Sequence, residues 1–383
     1  MTLRMEQVVA ELAGVVERAK AQQDALAAAV ERGREALGRW AADPAEANAR
    51  IQERMKESAA PFALATEESP LLRKAAPPRP PVTVVAADGS SIEPDRFAPV
   101  SCYVVNVGFV SLPYGVTGPV VMQSEAVVGP REPIVAGEDD GSDGVEGRGM
   151  GVNLARDTGE LEWVQTLAAA VEPPGPVVAL LDGTLLPWDL DSRAVAAAVR
   201  KDLARRTRDA LDALRWLGPR LSLGAYVSGS RSAEVVTSLR VLAQGNAPLG
   251  LSDGQFFGGL LAEGERSALF ASGSGRSEQV EKQFENHQVW AFYLKVWGDV
   301  ARVELPGWAG GEPEVDRLHA TLLDQCARCG GGYPRALQEA HEQAVITGRD
   351  RVQFANHLER EALRFGIPPT GAGKQTSKRR RAV

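Results

Sequence analysis

Residues 84–91 read VVAADGSS, and residues 177–184 read VVALLDGT. Each is a short apolar run that meets Asp-Gly and then a hydroxyl. A run of this length, rich in Val or Leu and stopped by glycine, reads as a buried strand and is too short for a helix. Each strand therefore carries one aspartate, Asp88 or Asp182, to its own end. A lone carboxylate at the rim of an apolar sheet is expensive to desolvate unless something compensates it. A bound cation would compensate both together.

Working outward, strands are predicted over 82–87, 101–110 and 118–128, then a helix over 153–171, a strand over 176–181, a helix over 192–217, a strand over 221–227 and a helix over 233–243. Three consecutive strands followed by alternating helices and strands, with right-handed crossovers, fit a ribonuclease H-like α/β fold: a mixed five-stranded sheet with flanking helices. In that order the first and fourth strands lie side by side, which would bring Asp88 and Asp182 together. Before this core, residues 5–56 are charged and alanine-rich, with Val8, Leu12, Val15 and Val16 at helical spacing and a restart at the DPAE of 43–46. Such a segment either covers its own core or packs on a partner or a second copy. The PPRPP of 77–81 reads as a stiff linker. The expected domains are 1–76 helical, 77–245 catalytic core, 246–366 a C-terminal part, and 367–383 a basic disordered tail. The C-terminal part has a strand pair over 287–296 and 300–305, turned at Gly298-Asp299, and helices over 316–327 and 335–365.

With 44% hydrophobic and 24% charged residues among 383, the chain has an ordinary globular composition. No run of about eighteen apolar residues exists, and the first twenty positions carry charges throughout, so neither a transmembrane span nor a secretory signal is expected and the protein should be cytoplasmic. The net charge of −7 argues against coating nucleic acid through bulk charge but leaves room for a local basic groove. Cys102, Cys326 and Cys329 suit a reducing compartment. The lone C-x-x-C at 326–329 reads as two reduced thiols near a helix end, since structural zinc wants four ligands.

Two carboxylates a few ångströms apart repel each other unless one is protonated or a cation bridges them. A divalent ion with oxygen ligands, Mn²⁺ or Mg²⁺, is the natural occupant, as one ion or two. The helix before the second Asp-Gly strand offers Glu160 and Glu162, about 200° apart around its axis, so only one can face the sheet. Glu160 lies nearer the face of Val164 and Leu167, while Glu162 neighbours Trp163 on the other side. Arg156, four residues before Glu160, forms an i,i+4 ion pair or offers a base for phosphate. Ser90 and Thr184 can hold phosphate or cap their turns. His341 follows Tyr333 by eight residues, about two helical turns, so both can face one way. A helical histidine is more often a satisfied structural residue than a ligand, but three acids already propose a site here, and His341 joins them as metal ligand or proton carrier. Carboxylates around one or two divalent ions, without a P-loop, a serine-triad spacing or G-x-G-x-x-G, point to metal-assisted phosphodiester hydrolysis.

The ordered stretches ADGSS, LLDGTLLPW, AYVSGSRSAEVV, EGERSALFAS, VARVELPGW and GYPRALQEAHEQAVI resemble the NurA nuclease family, over about 82–365. The resemblance implies a Mn²⁺-dependent exonuclease, with single-strand endonuclease activity, that resects DNA ends in recombinational repair as a homodimer docked on a HerA-type hexameric ATPase. It implies metal-site roles for Asp88, Glu160 or Glu162, Asp182 and His341, and places the family tyrosine on Tyr333. Arg231, in SGSRS, falls where relatives carry a basic residue and would contact phosphate. The acidic stretch 138–146 has no counterpart in the pattern, and its charge would repel DNA unless it binds metal or a protein. Two rivals share these features. An actin- or sugar-kinase-type nucleotide-binding protein also uses Asp-Gly-Ser/Thr turns, but it duplicates the domain and carries a later adenosine motif. An inactive dimeric scaffold would bind its partner and leave DNA uncut.

Overall fold

A computed structural model describes residues 5–67, 69–95, 98–130, 145–172, 175–243, 250–273 and 278–368. The chain runs through α1 (Met5–Ala42), α2 (Pro44–Met55), β1 (Ala63–Ala65), β2 (Arg73–Ala75), β3 (Val82–Ile92), β4 (Cys102–Tyr114), β5 (Val121–Pro130) and α3 (Val145–Ala170). It continues with β6 (Val177–Asp182), α4 (Ala197–Arg215), β7 (Leu221–Val227), α5 (Glu234–Leu242), α6 (Asp253–Gly258), β8 (Glu265–Ser267), β9 (Phe270–Ser272) and α7 (Glu278–Gln283). Last come β10 (Val289–Val296), β11 (Asp299–Pro306), α8 (Glu312–Cys329), α9 (Arg335–Ala344) and α10 (Gly348–Arg364). Among the described residues no helix is long and apolar enough to cross a membrane. Most of the acidic stretch and of the basic tail, 138–144 and 369–383, lies outside them.

The chain divides into two compact units that interleave along the sequence: Met1–Pro78, Ala225–Glu281 and Glu285–Gly332 form one, and Arg79–Gly224, Lys282–Phe284 and Tyr333–Val383 the other. In the second unit the strands lie in the order β5, β4, β3, β6, followed by the first residues of β7. The first three are antiparallel, and β6 runs parallel to β3 with Ala87 beside Leu181. Asp88 and Asp182 are the next positions in that register.

The two Asp-Gly pairs differ. Gly183 takes φ +85 and ends β6, a backbone conformation that glycine adopts without strain. Gly89 is extended: β3 does not stop there but stays paired with β4 as far as Ile92 opposite Val104, because β4 flanks it along its whole length. Glycine is needed at 89 for space, as the site will show. The helix expected from 153 begins at Val145, and the one expected over 335–365 is two helices. Thr347 separates them, its Oγ1 accepting from Asp350 N at 3.2 Å while its own N donates to Asp350 Oδ2 at 2.9 Å. This is a capping box readable in the sequence TGRD.

In the first unit, the second half of α1 covers a core with Trp40, Ile51, Phe62, Val236, Phe256, Phe270 and Tyr293. Its first half leaves Met5, Val9, Leu12, Val15 and Val16 exposed. Asp43 starts α2, its Oδ1 accepting from Glu46 N at 2.9 Å. The β10–β11 turn is Trp297-Gly298, both with positive φ, in the manner of tight two-residue hairpins.

His319 of α8 is fully buried, with Nε2 2.9 Å from Gly264 O. Burial pushes its pKa down to about 4, with the Gly264 carbonyl partly opposing. The unfolded chain therefore takes up this proton at higher pH than the folded one. The stability tied to neutral His319 is complete above about pH 6.5 and is lost as pH falls toward 4, by roughly 3 kcal/mol. The His319→Gln variant should accordingly show a shallower fall of its urea midpoint between pH 6.5 and 4.5 than the unaltered protein. Parallel curves would assign the acid sensitivity to other groups.

Candidate active site

Four elements of the second unit converge on a cleft of about 480 Å³: β3 with Asp88, α3 with Arg156, Asp157 and Glu160, β6 with Asp182, and α9 with His341. Helix α9 reaches β3 because small residues let it down onto the sheet. A Cβ on Gly108, which stands opposite Asp88 in the β3–β4 register, would lie 2.3 Å from Ala340 O. Asn106 Nδ2 donates to Ala344 O at 2.8 Å, and Ser90 Oγ donates to the same carbonyl. These anchors set His341 Nδ1 2.6 Å from Asp88 Oδ2, while Asp88 Oδ1 accepts from Gly89 N at 2.8 Å. Ser90, expected to hold phosphate, is instead engaged in docking α9. Thr184 closes its own turn, donating to Leu186 O at 3.1 Å.

On α3, Glu160 is 5% exposed and faces the cleft. Glu162 points elsewhere, into two hydrogen bonds of 2.8 and 2.6 Å from Arg206 of α4. It is thus withdrawn from the metal candidates, since its carboxylate is already neutralised by a fork-shaped partner on another helix. Arg156 Nε is 3.3 Å from Glu160 Oε1, and its Nε and Nη2 donate to Asp157 Oδ1 at 3.2 and 2.9 Å. A Cβ on Gly89 would lie 2.4 Å from Arg156 Cγ and 2.7 Å from Glu160 Oε1, so only glycine leaves room for both side chains against β3. Tyr333, just before α9, donates its hydroxyl to Asp182. Arg231 is exposed and belongs to the first unit.

The acids raise one another. Burial pushes Glu160 well above the usual carboxylate range, and Asp157, Asp88 and Asp182 add to this while Arg156 opposes it. Loss of water and then the charge of Asp88 raise Asp182, against the hydrogen bonds from Tyr333 and Gly183 N. Asp157 is raised by burial, with Arg156 opposing. Burial is the larger cause in each case and the neighbouring acids add to it, so the charged carboxylates lack full compensation in the cleft. Hard oxygen donors facing an open, polar cleft suit Mg²⁺ or Mn²⁺, which keep part of their water shell. Among the described residues no three Asp, Glu, His or Cys side chains close into a finished ligand cage. The donor chemistry fits such an ion, and the remaining ligands would be water or phosphate.

Sequence reasoning did not find Asp157, Asn106 or Gly108. A glycine inside an apolar strand was the available signal for Gly108, since it marks close approach of another backbone.

The NurA domain matches residues 82–346 of the chain. Among solved structures, the NurA nuclease from Sulfolobus solfataricus is 15% identical, with 95% of this chain and 98% of that one covered and a TM-score of 0.54. LC9-RNase H1, a type 1 RNase H with the type 2 active-site motif, is 12% identical over 43% of this chain and 71% of that one, with a TM-score of 0.22. The Aquifex aeolicus Argonaute is 12% identical over 70% and 29%, with a TM-score of 0.27. No curated protein sequence matches the chain.

Proposed function

The chain belongs to the NurA domain family, and from that premise we propose that it is a divalent-metal-dependent deoxyribonuclease acting on single- and double-stranded DNA ends. The observation that carries the reading is the cleft in which Asp88, Glu160 and Asp182 converge with His341 held on Asp88. The strand order β5, β4, β3, β6, β7 supports a ribonuclease H-like core for it.

In this reading Asp88, Glu160 and Asp182 hold Mn²⁺ or Mg²⁺. The ion, when bound, supplies positive charge against the scissile phosphate and makes water more acidic. The chain's own residues do the rest. Asp88 orients His341 through Nδ1, which leaves Nε2 to carry a proton at the cleft mouth or to join the ion's ligands. Tyr333 fixes the Asp182 carboxylate by its hydroxyl, and Arg156 meets phosphate oxygens, a role also proposed for Arg231 of the first unit. Residues beyond the cleft serve assembly: a homodimer docked on a HerA-type hexameric ATPase, in recombinational repair.

The test is digestion of end-labelled linear single- and double-stranded DNA with Mn²⁺, Mg²⁺ or EDTA. Metal-dependent shortening supports the proposal. Intact substrates in every condition, even with a HerA-type ATPase added, would sink it. On the same substrates Glu160→Gln should lose on the order of 10²-fold or more in rate, whereas Glu162→Gln should stay within a few-fold of the unaltered protein. Equal losses would remove the assignment of the helix carboxylate.

A further inference from the structure

Arg156 is the one permanently charged cation among the described residues lining a cleft that also carries Asp88, Asp157, Glu160 and Asp182. Its stem crosses β3 at Gly89, where a Cβ would come within 2.4 Å of Cγ and 2.9 Å of Cδ. Its guanidinium stands between two acids, 3.3 Å from Glu160 Oε1 and 2.9 Å from Asp157 Oδ1. Glu160 is nearly inaccessible, while the Arg156 side chain keeps 32% of its surface in solvent. The arginine thus lies over the buried acid on its solvent side.

Resting on the metal-dependent reading above, we propose that Arg156 is an exchangeable counter-ion. Without a divalent ion it neutralises Glu160. When the ion binds, it is displaced from Glu160 toward the DNA phosphate, with Asp157 holding the guanidinium at the cleft rim. The physics is competition for one carboxylate. Like charges a few ångströms apart repel strongly in a partly desolvated cleft, so a divalent ion on Glu160 disfavours a guanidinium left in contact with it. Asp157 Oδ1 already accepts from Nε and Nη2, so it can keep the guanidinium without a change of backbone. Nη1 is then the donor left to meet a phosphate. The same arginine would link metal loading to substrate grip. Gly89 is the residue that makes room for it.

Isothermal titration of Mn²⁺ into the full chain, without DNA and therefore without turnover, tests the exchange. Arg156→Gln should bind Mn²⁺ about tenfold more tightly than the unaltered protein, because the competing cation is gone. Arg156→Lys, which keeps the charge, should bind as the unaltered protein does. If Arg156→Gln does not fold, Arg156→Met keeps an unbranched stem over Gly89 and answers the same question. In the presence of Mn²⁺, binding of a phosphorothioate oligonucleotide should show a salt slope smaller by about one for Arg156→Gln. An unchanged or weaker Mn²⁺ affinity in the neutral variants overturns the exchange and leaves the nuclease reading standing. Tightening in Arg156→Lys as well would trace the effect to packing and also overturn it. If the unaltered protein binds no Mn²⁺ at all, the metal-dependent reading falls together with the exchange.

Discussion

Asp88→Asn is expected to abolish metal-dependent DNA cleavage, with a fall in rate on the order of 10³-fold, corresponding to about 4 kcal/mol of transition-state stabilisation. Asp88 has two roles that an amide cannot fill. One oxygen orients His341 through Nδ1 at 2.6 Å, and the carboxylate as a whole contributes negative charge beside Asp182 and Glu160. Asparagine keeps the size and can still accept from Gly89 N, so the fold should survive. Rates on end-labelled DNA at saturating Mn²⁺, read beside an unchanged thermal melting curve, check this. A variant that keeps more than about a tenth of the activity would exclude Asp88 from the metal-bearing set. Because the two functions are separable, His341→Ala should lose less than Asp88→Asn.

Arg302→Ala is expected to destabilise the first unit by about 3–5 kcal/mol, the usual outcome when one partner of a buried charge network is removed. Arg302 of β11 is 2% exposed and donates to Glu304 Oε1 at 2.8 Å, Glu234 Oε2 at 3.0 Å, Ser232 and Ser272 at 3.0 Å, and Tyr293 Oη at 2.9 Å. Burial alone would lower its pKa, but Tyr293, Glu234, Glu304 and Asp253 together hold it well above the ordinary value. The truncated side chain would leave Glu234 and Glu304 buried without their shared cation. Asp253 would then be the remaining anchor, accepting from Val236 N at 2.8 Å and Tyr293 Oη at 2.5 Å. Urea unfolding followed by tryptophan fluorescence measures the effect. A loss under about 1 kcal/mol would mean that the carboxylates take up protons and the network is not ionic.

Strands β6 and β7 are legible in the sequence because they are short apolar runs closed by turns, a pattern set by local chemistry. The 221–227 strand was read with its observed bounds, and Asp88 and Asp182 were found because both Asp-Gly pairs follow such runs. The limits of β3 were missed for a tertiary reason. Its residues beyond Gly89 are held extended by β4, which no window around the glycine reveals. Helix α3 begins at Val145, eight residues before the expected start, its first turns lying in a stretch whose acids and glycines resemble a loop. The interleaving of the two units was also out of reach, since it depends on which distant segments pack together.

Local patterns along the chain are enough to show which carboxylates are available, that two of them end or interrupt apolar strands, and that strand order brings those two side by side. These follow from burial and from the period of the backbone, which act over a few residues. The tertiary structure alone decided that Glu160 faces the cleft while Glu162 meets Arg206, that Ser90 docks α9 instead of facing phosphate, and that Gly108 lets His341 reach Asp88. The face of Val164 and Leu167 favours Glu160 over Glu162 in the sequence, but two glutamates 200° apart on a helix take their sides only when a sheet and a second helix pack against it. That choice is made by packing between segments far apart in the chain.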